Sequence, residues 1–323
     1  MFFNYHKRHY FFNYILFLFL CINIFCNPSP SVLKMGAHFW IGYEPIFLSE
    51  NNGSLKKNYI HLIEYTSASK SMRAFRNGTV DLIAITLDEA LYLKQFIDQV
   101  KVIHIADYSN GADCLLARPG IQSIADLKGK VIGVENTALG AFFLSRILEL
   151  HSIQLKDIKI LSMEINEHEF FYKKKKVDAL ITYEPVKSKL LKEGAVELFN
   201  SSSIPYEIVD VLVVRDDLSY EQRKRVVALL REWEIQRKKI IHLDPETIQA
   251  IQKRDNLSEQ QVKSSLFAIV FPSSKEVLHS FKDKSFTGKI EKLYYHMKQN
   301  KLLSKSINLQ SILDPGYLEE SLK

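Results

Sequence analysis

Short apolar segments alternate with segments of helical periodicity from Gly36 to about residue 214. The first cycle predicts strands at 37–41, 59–64, 81–85, 100–107 and 112–117, with helices at 44–53, 68–77 and 87–97. A second cycle follows the turn at 127–130, with strands at 131–134, 158–163, 179–183 and 208–214 and helices at 139–151, 167–176 and 185–193. Helices between successive strands are typical of α/β folds with largely parallel sheets. The sequence therefore predicts an α/β protein.

The two cycles are joined at 107–117 and again at 205–214, which predicts two lobes connected by two chain crossings. The first lobe is expected to comprise 36–112 and 209–323, and the second lobe 113–208. The last third of the chain is mostly helical in pattern, with helices predicted at 220–242, 245–253, 258–268, 273–283, 287–300 and 306–312. Because these helices are amphipathic, they need an apolar surface to cover. We expect this helical C-terminal region to pack on the first lobe.

Residues 1–26 have the pattern of a signal segment for export. Lys7 and Arg8 supply a basic start, and the apolar stretch at 15–25 is too short for a comfortable membrane span. Cys26 follows directly, as in bacterial lipoprotein signals, although Phe25 stands where such signals have a small residue. We expect a periplasmic or otherwise extracytoplasmic protein, which is membrane-associated as a lipoprotein if Cys26 is the lipid attachment site.

Charge and cysteine content exclude several classes of function. The formal net charge is +6, and without Lys7 and Arg8 it is 41 − 37 = +4, too small to indicate a nucleic-acid partner. Of the three cysteines, only Cys114 lies beyond the signal segment, so a mature chain has no intrachain disulfide and no cysteine-based zinc site. The sequence predicts no cofactor, no metal site and no catalytic residue.

Polar and aromatic side chains cluster just beyond the predicted strand ends. Ligands of α/β proteins bind at the carboxyl ends of strands, where helix N-termini present free backbone N–H groups. The candidate ligand-binding residues are Trp40, Tyr43, Glu44, Ser67, Thr86, Asn110, Asp113, Glu135, Thr137, Glu184 and Asp210. Simpler explanations exist for some of them: Thr86 forms a capping box with Glu89, Ser67 is an ordinary helix cap, and Trp40 could belong to the core.

The candidate loops carry several carboxylates and no Arg or Lys. A sulfonate or nitrate site needs hydrogen-bond donors, typically Arg or clustered N–H groups. Carboxylates with aromatic rings instead favour an amine, an aminopyrimidine or another nitrogen-rich solute. The sequence therefore predicts a small nitrogen-containing ligand.

Four segments, taken in their order and spacing, resemble the periplasmic solute-binding proteins of ABC importers. They are Gly42-Tyr43-Glu44-Pro45, Gly78-Thr79-Val80-Asp81-Leu82, the stretch 124–134 with its Asp-Leu-Lys-Gly-Lys motif, and Val177-Asp178-Ala179-Leu180. The family resembled includes nitrate-, sulfonate- and taurine-binding proteins and binders of thiamine-pyrimidine precursors. The resemblance covers about 36–310 and departs at Lys176, where the family usually has Gly. It implies the type II periplasmic binding protein fold, with two lobes that close on a small molecule.

The resemblance also implies a function, namely delivery of the bound solute to the permease and ATPase subunits of an ABC importer by a protein expected to be monomeric. Two alternatives remain open. A ligand-sensing module would use the same lobes to signal to a membrane partner. An enzyme of pyrimidine-precursor synthesis would share the fold, but the fungal synthases use clustered cysteines and histidines, which this chain lacks around Cys114.

Overall fold

The computed structural model describes residues 32–323, which contain two β-sheets flanked by helices. The first sheet has six strands in the order β11-β4-β10-β3-β1-β2. In chain order these strands are β1 (Leu33–His38), β2 (Ile60–Tyr65), β3 (Leu82–Thr86), β4 (Val100–Ser109), β10 (Val209–Arg215) and β11 (Ile269–Val270). The central strand β3 is buried along its whole length, so this sheet forms the core of the first lobe.

The second sheet has five strands in the order β7-β6-β8-β5-β9. These strands are β5 (Cys114–Ala117), β6 (Val131–Glu135), β7 (Lys159–Met163), β8 (Ala179–Thr182) and β9 (Val196–Asn200). The chain passes from the first sheet to the second through 110–113 and returns through 201–208. The two sheets, each with its own helices, confirm the predicted two-lobed α/β fold.

The sheets are mixed, which corrects the expectation of largely parallel pairing. Strand β1 pairs in parallel with β2 and β3, and β6 pairs in parallel with β7 and β8. Strand β10 is antiparallel to both β3 and β4, and β5 is antiparallel to both β8 and β9. Strands joined by a helical crossover within one sheet run parallel. The chain enters β10 from the other lobe without such a crossover, so β10 runs antiparallel to its neighbours.

Helices cover both sheets and connect their strands. Before the second crossing they are α1 (Glu44–Asn51), α2 (Ser54–Lys57), α3 (Ala68–Arg76), α4 (Leu87–Lys94), α5 (Ala138–Leu150), α6 (His168–Lys173) and α7 (Val186–Lys192). The C-terminal region contributes α8 (Tyr220–Ile241), α9 (Pro245–Asp255), α10 (Glu259–Phe267), α11 (Ser274–Lys282), α12 (Ser285–Gln299) and α13 (Gly316–Ser321). Most of these bounds lie within two or three residues of the predicted ones.

The helical C-terminal region packs on the first lobe, as predicted. The fully buried Trp233 of α8 meets His104 of β4 edge-on, with 5.5 Å between ring centroids. Helix α12 also reaches the second lobe, where His296 lies 2.8 Å from the Ser145 hydroxyl of α5. The C-terminal helices therefore contact both lobes.

The helix predicted at 306–312 is wrong, because this segment is irregular and its end is bonded to β4 by an isolated bridge between Leu313 and Val102. Val102 of β4 donates its N–H to Ile312 O at 2.7 Å and accepts from Asp314 N at 3.0 Å. The short apolar spacing of 306–312 fits either a helix or an extended segment, and pairing with the free edge of β4 decides between them. Strands β9 and β11 have no counterpart in the predicted elements.

The predicted signal segment, including Cys26, lies outside the described residues. Among residues 32–323 no helix combines the length and apolar character needed to cross a membrane.

Candidate functional site

A narrow cleft between the two sheets brings together the ends of strands from both lobes. Its cavity is about 20 Å³, room for about one water molecule. The lining consists of His38, Trp40, Ala68, Thr86, Glu89, Asp113, Glu135, Thr137, Leu139, Tyr183 and Asp210. The lobes are therefore nearly closed on each other, and a solute larger than water requires them to separate.

Two aromatic side chains meet across this cleft. Trp40 of the first lobe follows β1 and precedes a short 3-10 turn (Ile41–Tyr43). Its ring contacts Tyr183 of the second lobe edge-on, with 5.4 Å between ring centroids. The Trp40 Nε1–H donates to Asp107 Oδ2 at 3.0 Å. With only 4% of its surface exposed, Trp40 is both a packed residue of the first lobe and a wall of the cleft.

Gly42 permits the close approach of Trp40 and Asp107. A Cβ at this position would lie 1.8 Å from Asp107 Oδ2 and 2.4 Å from Trp40 Nε1. Both separations are far inside contact distance, so any side chain here would displace the pair. The glycine of the first loop is thus explained by packing against the indole and the carboxyl group.

Carboxyl groups dominate the polar lining. Burial raises the pKa of Glu135 to about 8 and that of Asp113 to about 6. The pKa of Asp210 is also raised, first by burial and then by the neighbouring carboxyl of Asp107, whose own pKa burial raises to about 8. The pKa of Glu89 is raised by burial, with Asp88 and Glu135 adding to the effect. Among residues 32–323, no Lys or Arg side chain lines the cavity.

Several buried oxygens of these groups have no hydrogen-bond partner among the described residues. They are Oε1 of Glu89, Oδ1 of Asp107, Oδ2 of Asp113 and Oε1 of Glu135, together with the Tyr183 hydroxyl. Unpaired buried polar atoms are costly, and in native proteins they call for an explanation. Acceptor atoms around one cavity are suited to a ligand that brings donors.

The other polar groups at the site are neutral or already bonded. The Tyr43 hydroxyl donates to Asp210 Oδ1 at 2.5 Å, and Thr137 Oγ1 accepts from Gly140 N at 3.1 Å as the cap of α5. Burial lowers the pKa of His38 to about 4, so its imidazole is neutral at pH 7. Within the described part of the chain, the lining of the cleft therefore offers acids and aromatic rings and no Lys or Arg, although the nearby Lys187 partly offsets the rise that burial causes in the pKa of Asp113.

The structure brings together six of the predicted residues as lining: Trp40, Thr86, Asp113, Glu135, Thr137 and Asp210. Tyr43 reaches the site through its bond to Asp210. The hydroxyl of Ser67 is buried beside the site, where the next residue, Ala68, forms the lining. The capping-box explanation of Thr86 also holds, since Glu89 Oε2 accepts from its backbone N–H at 3.2 Å.

Besides Tyr43 and Ser67, three further predicted residues lie outside the lining, which corrects the expectation that they converge there. Glu44 begins α1 and bonds Arg254 at 3.0 Å instead. Glu184 accepts from the Ser188 backbone N–H at 3.1 Å and from its hydroxyl at 2.7 Å, at the start of α7. Asn110 is exposed, and its backbone N–H donates to Ala268 O at 2.8 Å. Each is used locally or by the C-terminal helices.

Sequence reasoning placed Glu89 and Tyr183 in segments facing the ligand without naming them as candidate residues, and it missed His38 as a lining residue and Asp107 as the partner of Trp40. Asp107 ends the strand predicted at 100–107, and His38 lies within the one predicted at 37–41. The sequence signal that could have found Asp107 is a polar residue at a strand end, the same signal that indicated Asp210. Within residues 32–323, no group of three or more His, Cys, Asp or Glu side chains is arranged to hold a metal ion.

Comparison with known proteins identifies the family. A model of the NMT1-like family matches residues 27–254. The chain belongs to the NMT1-like family. This NMT1-like chain is also 28% identical over 130 residues to a Brucella abortus protein named "Putative binding protein", a match covering 38% of the chain and 41% of that relative. A Brucella melitensis protein, also named "Putative binding protein", matches with the same identity and the same coverage. The match thus spans about two fifths of the length of these curated relatives.

Solved structures share the fold at low sequence identity. The alkanesulfonate-binding protein SsuA of Xanthomonas axonopodis pv. citri, bound to MOPS, is 16% identical with a TM-score of 0.72, covering 88% of the NMT1-like chain and 99% of that chain. A ligand-binding component of an ABC-type import system from Staphylococcus aureus, with zinc bound, is 13% identical with a TM-score of 0.73, covering 90% and 99%. The desulfurization enzyme DSZB is 15% identical with a TM-score of 0.65, covering 90% and 99%. These likenesses establish the two-lobed fold.

Proposed function

We propose that this NMT1-like protein binds a small nitrogen-containing solute, an amine or a pyrimidine-like molecule, outside the cytoplasm and delivers it to an ABC importer. The observation that carries the solute class is the cleft lining, where Glu89, Asp113, Glu135 and Asp210 are accompanied by no Lys or Arg of the described residues. A cationic or donor-rich solute would satisfy the unpaired carboxyl oxygens. Import is supported by the fold shared with binding components of such systems.

The chemistry of the cleft argues against a sulfonate. An anion in this cavity would face several carboxyl groups and would find no Arg or Lys to pair with. An ammonium or aminopyrimidine group would instead lower the pKa of the acids, which would then pair with it as carboxylates. The faces of Trp40 and Tyr183 would become available to such a ligand once the lobes separate, and aromatic faces attract cations.

Binding requires the lobes to move, because the closed cleft has room for little more than one water. The crossings at 110–113 and 201–208 are the segments about which such movement would occur. They are held together by Ser201 Oγ, which lies 2.7 Å from Ser109 Oγ and accepts from Gly111 N at 2.6 Å. We propose that the solute enters an open form and that Trp40 and Tyr183 close over it.

A binding role is better supported than an enzymatic one. The one cysteine of the described residues, Cys114, has no exposed surface and lies within β5. Burial raises the pKa of its thiol, and a protonated, inaccessible thiol is a poor nucleophile. A sensing module would need the same lobes, so it differs from the proposed function only in its membrane partner.

Isothermal titration calorimetry against two solutes of opposite character tests this proposal. The full chain is titrated at pH 7 with an aminopyrimidine and, separately, with taurine. We expect saturable binding of the aminopyrimidine and no measurable heat from taurine. Tight binding of taurine would refute the proposed solute class.

A further inference from the structure

A second cavity lies beside the crossing that returns the chain to the first lobe. Its volume is about 570 Å³, and it is lined by α5 of the second lobe, by the segment 205–209 and by α12. We call it the hinge cavity. Ligand sites usually have volumes of about 300–1,000 Å³ and often lie between domains. The hinge cavity meets both conditions, whereas the closed cleft is far smaller.

The hinge cavity and the cleft lie on opposite sides of the same strand ends. Val209 of β10 lines the hinge cavity, and the next residue, Asp210, lines the cleft. Where β3 ends, Thr86 lines the cleft, and Leu87, the first residue of α4, lines the hinge cavity. Successive side chains of a strand point to opposite faces. The two cavities are therefore separate and share a wall.

The inner surface of the hinge cavity is apolar, with Leu87, Phe142, Pro205, Val209 and Leu293 in its lining. These side chains come from both lobes and from the C-terminal region. A ligand with a hydrocarbon or aromatic body would remove this surface from water, at about 25 cal/mol per Å² buried.

The charged lining is basic once its internal ion pairs are counted. Arg146 bonds Glu207 through two nitrogens, at 2.6 and 3.0 Å, and also bonds Glu149. Lys289 and Lys292 make no ion pair with any described residue and are both exposed. Both acids are therefore occupied by Arg146, and two ammonium groups remain for an acidic partner.

Two tyrosine rings hold one of these lysines at the rim. Tyr206 has a φ of 62°, a left-handed conformation that is uncommon for an aromatic residue. Its ring meets Tyr108 edge-on, and the Lys289 Nζ lies 4.8 and 4.9 Å from the two ring centroids. The contacts with both rings position the Lys289 ammonium group beside the apolar cavity.

We infer that the hinge cavity is a second binding site, for an amphipathic monoanion with a hydrocarbon or aromatic body. The apolar body lies against Phe142 and Leu293, and the acidic group pairs with Lys289 and Lys292 at the rim. The site does not depend on the identity of the solute in the cleft. Because its walls belong to both lobes and to the crossing between them, an occupant couples to the movement of the lobes.

The test uses decanoate and its uncharged counterpart 1-decanol, titrated calorimetrically into the full chain below the decanoate micelle concentration. The variant Lys289→Gln/Lys292→Gln removes the two rim charges, and Lys253→Gln/Lys275→Gln removes two exposed charges elsewhere. We expect decanoate to bind the wild type with one site per chain and to bind the rim variant at least about tenfold more weakly. The matched variant, Lys253→Gln/Lys275→Gln, should bind decanoate with the affinity of the wild type. The wild type should bind 1-decanol no more tightly than the rim variant binds decanoate.

Equal decanoate affinity of the wild type and the rim variant would overturn the inference, as would the absence of decanoate binding to the wild type. Circular dichroism checks the fold, and Lys292→Gln alone, expected to weaken binding about threefold, serves if the double variant is unstable. A cleft variant, Asp113→Asn/Glu135→Gln, should keep its decanoate affinity. Loss of decanoate binding in that variant would place the ligand in the cleft and would also overturn the inference. The expected decanoate results do not depend on whether an aminopyrimidine binds in the cleft.

Discussion

Gly42→Ala is predicted to destabilise the protein strongly, although it adds a single methyl group. Gly42 does not have a positive φ, so its backbone conformation accepts alanine. The added Cβ would lie 1.8 Å from Asp107 Oδ2, and real Cβ contacts are not shorter than 3.0 Å. The carboxyl group must therefore move by at least 3.0 − 1.8 = 1.2 Å. That displacement breaks its 3.0 Å hydrogen bond from Trp40 Nε1.

The size of the effect follows from these two consequences. Overpacking a dense interior costs about 1–3 kcal/mol, and losing a buried hydrogen bond costs about 1–3 kcal/mol. The free energy of unfolding should therefore fall by about 2–6 kcal/mol, a large part of the 5–15 kcal/mol typical of folded proteins. Because Trp40 and Asp107 move, solute binding in the cleft should weaken as well.

Urea unfolding followed by circular dichroism measures this change. The matched control is Gly288→Ala in α12, where a Cβ would meet no atom within 4 Å. Replacing glycine by alanine inside a helix should raise the free energy of unfolding by about 0.5–1 kcal/mol. If Gly42→Ala unfolds within about 0.5 kcal/mol of the wild type, the close packing of Trp40, Gly42 and Asp107 described here is wrong.

Three further predictions concern the cleft and the N-terminus. Trp40→Phe keeps a ring against Tyr183 but removes the donor to Asp107, so urea unfolding should show a loss of about 1–3 kcal/mol, and an unchanged value would exclude the bond. The pKa of Glu135 is raised from 4.5 to about 8, so the folded chain holds a proton that the unfolded chain releases between these values. The stability that this proton contributes is fully present below about pH 4.5 and is lost as the pH rises through 8. The melting temperature of the ligand-free protein should therefore fall from pH 5 to pH 8, and it should fall less steeply in Glu135→Gln. Equal slopes for the two proteins would contradict this prediction. Labelled palmitate should enter the wild type and not Cys26→Ser, and labelling of neither form would exclude the lipid anchor.

The sequence was a good guide where local pattern decides the structure. The alternation of apolar segments predicted most elements, because buried strands and amphipathic helices have distinct periods. The helix expected at 306–312 failed because the pairing of Ile312 with Val102 is a tertiary contact. The edge strand β9, only half-buried, carries a weaker apolar signal than β3, which is buried throughout.

The candidate site shows the same division. Strand ends indicated Asp113, Glu135 and Asp210 as candidates, and the α/β architecture places these three residues around the cavity of the cleft. Glu44 was misplaced because its partner, Arg254, lies 210 residues away in the sequence. A loop pattern cannot show such a contact.

The central claim is that carboxyl groups of the cleft bind a nitrogen-containing solute, and their isosteric replacement tests it most directly. Asp113→Asn/Glu135→Gln removes two acids while keeping the shape of the cleft, so the fold should be retained. In calorimetry at pH 7, the wild type should bind an aminopyrimidine, and this variant should bind it at least about tenfold more weakly, a loss of about 1.4 kcal/mol or more. Equal affinity of the two proteins for the aminopyrimidine, with the variant folded, would contradict the account.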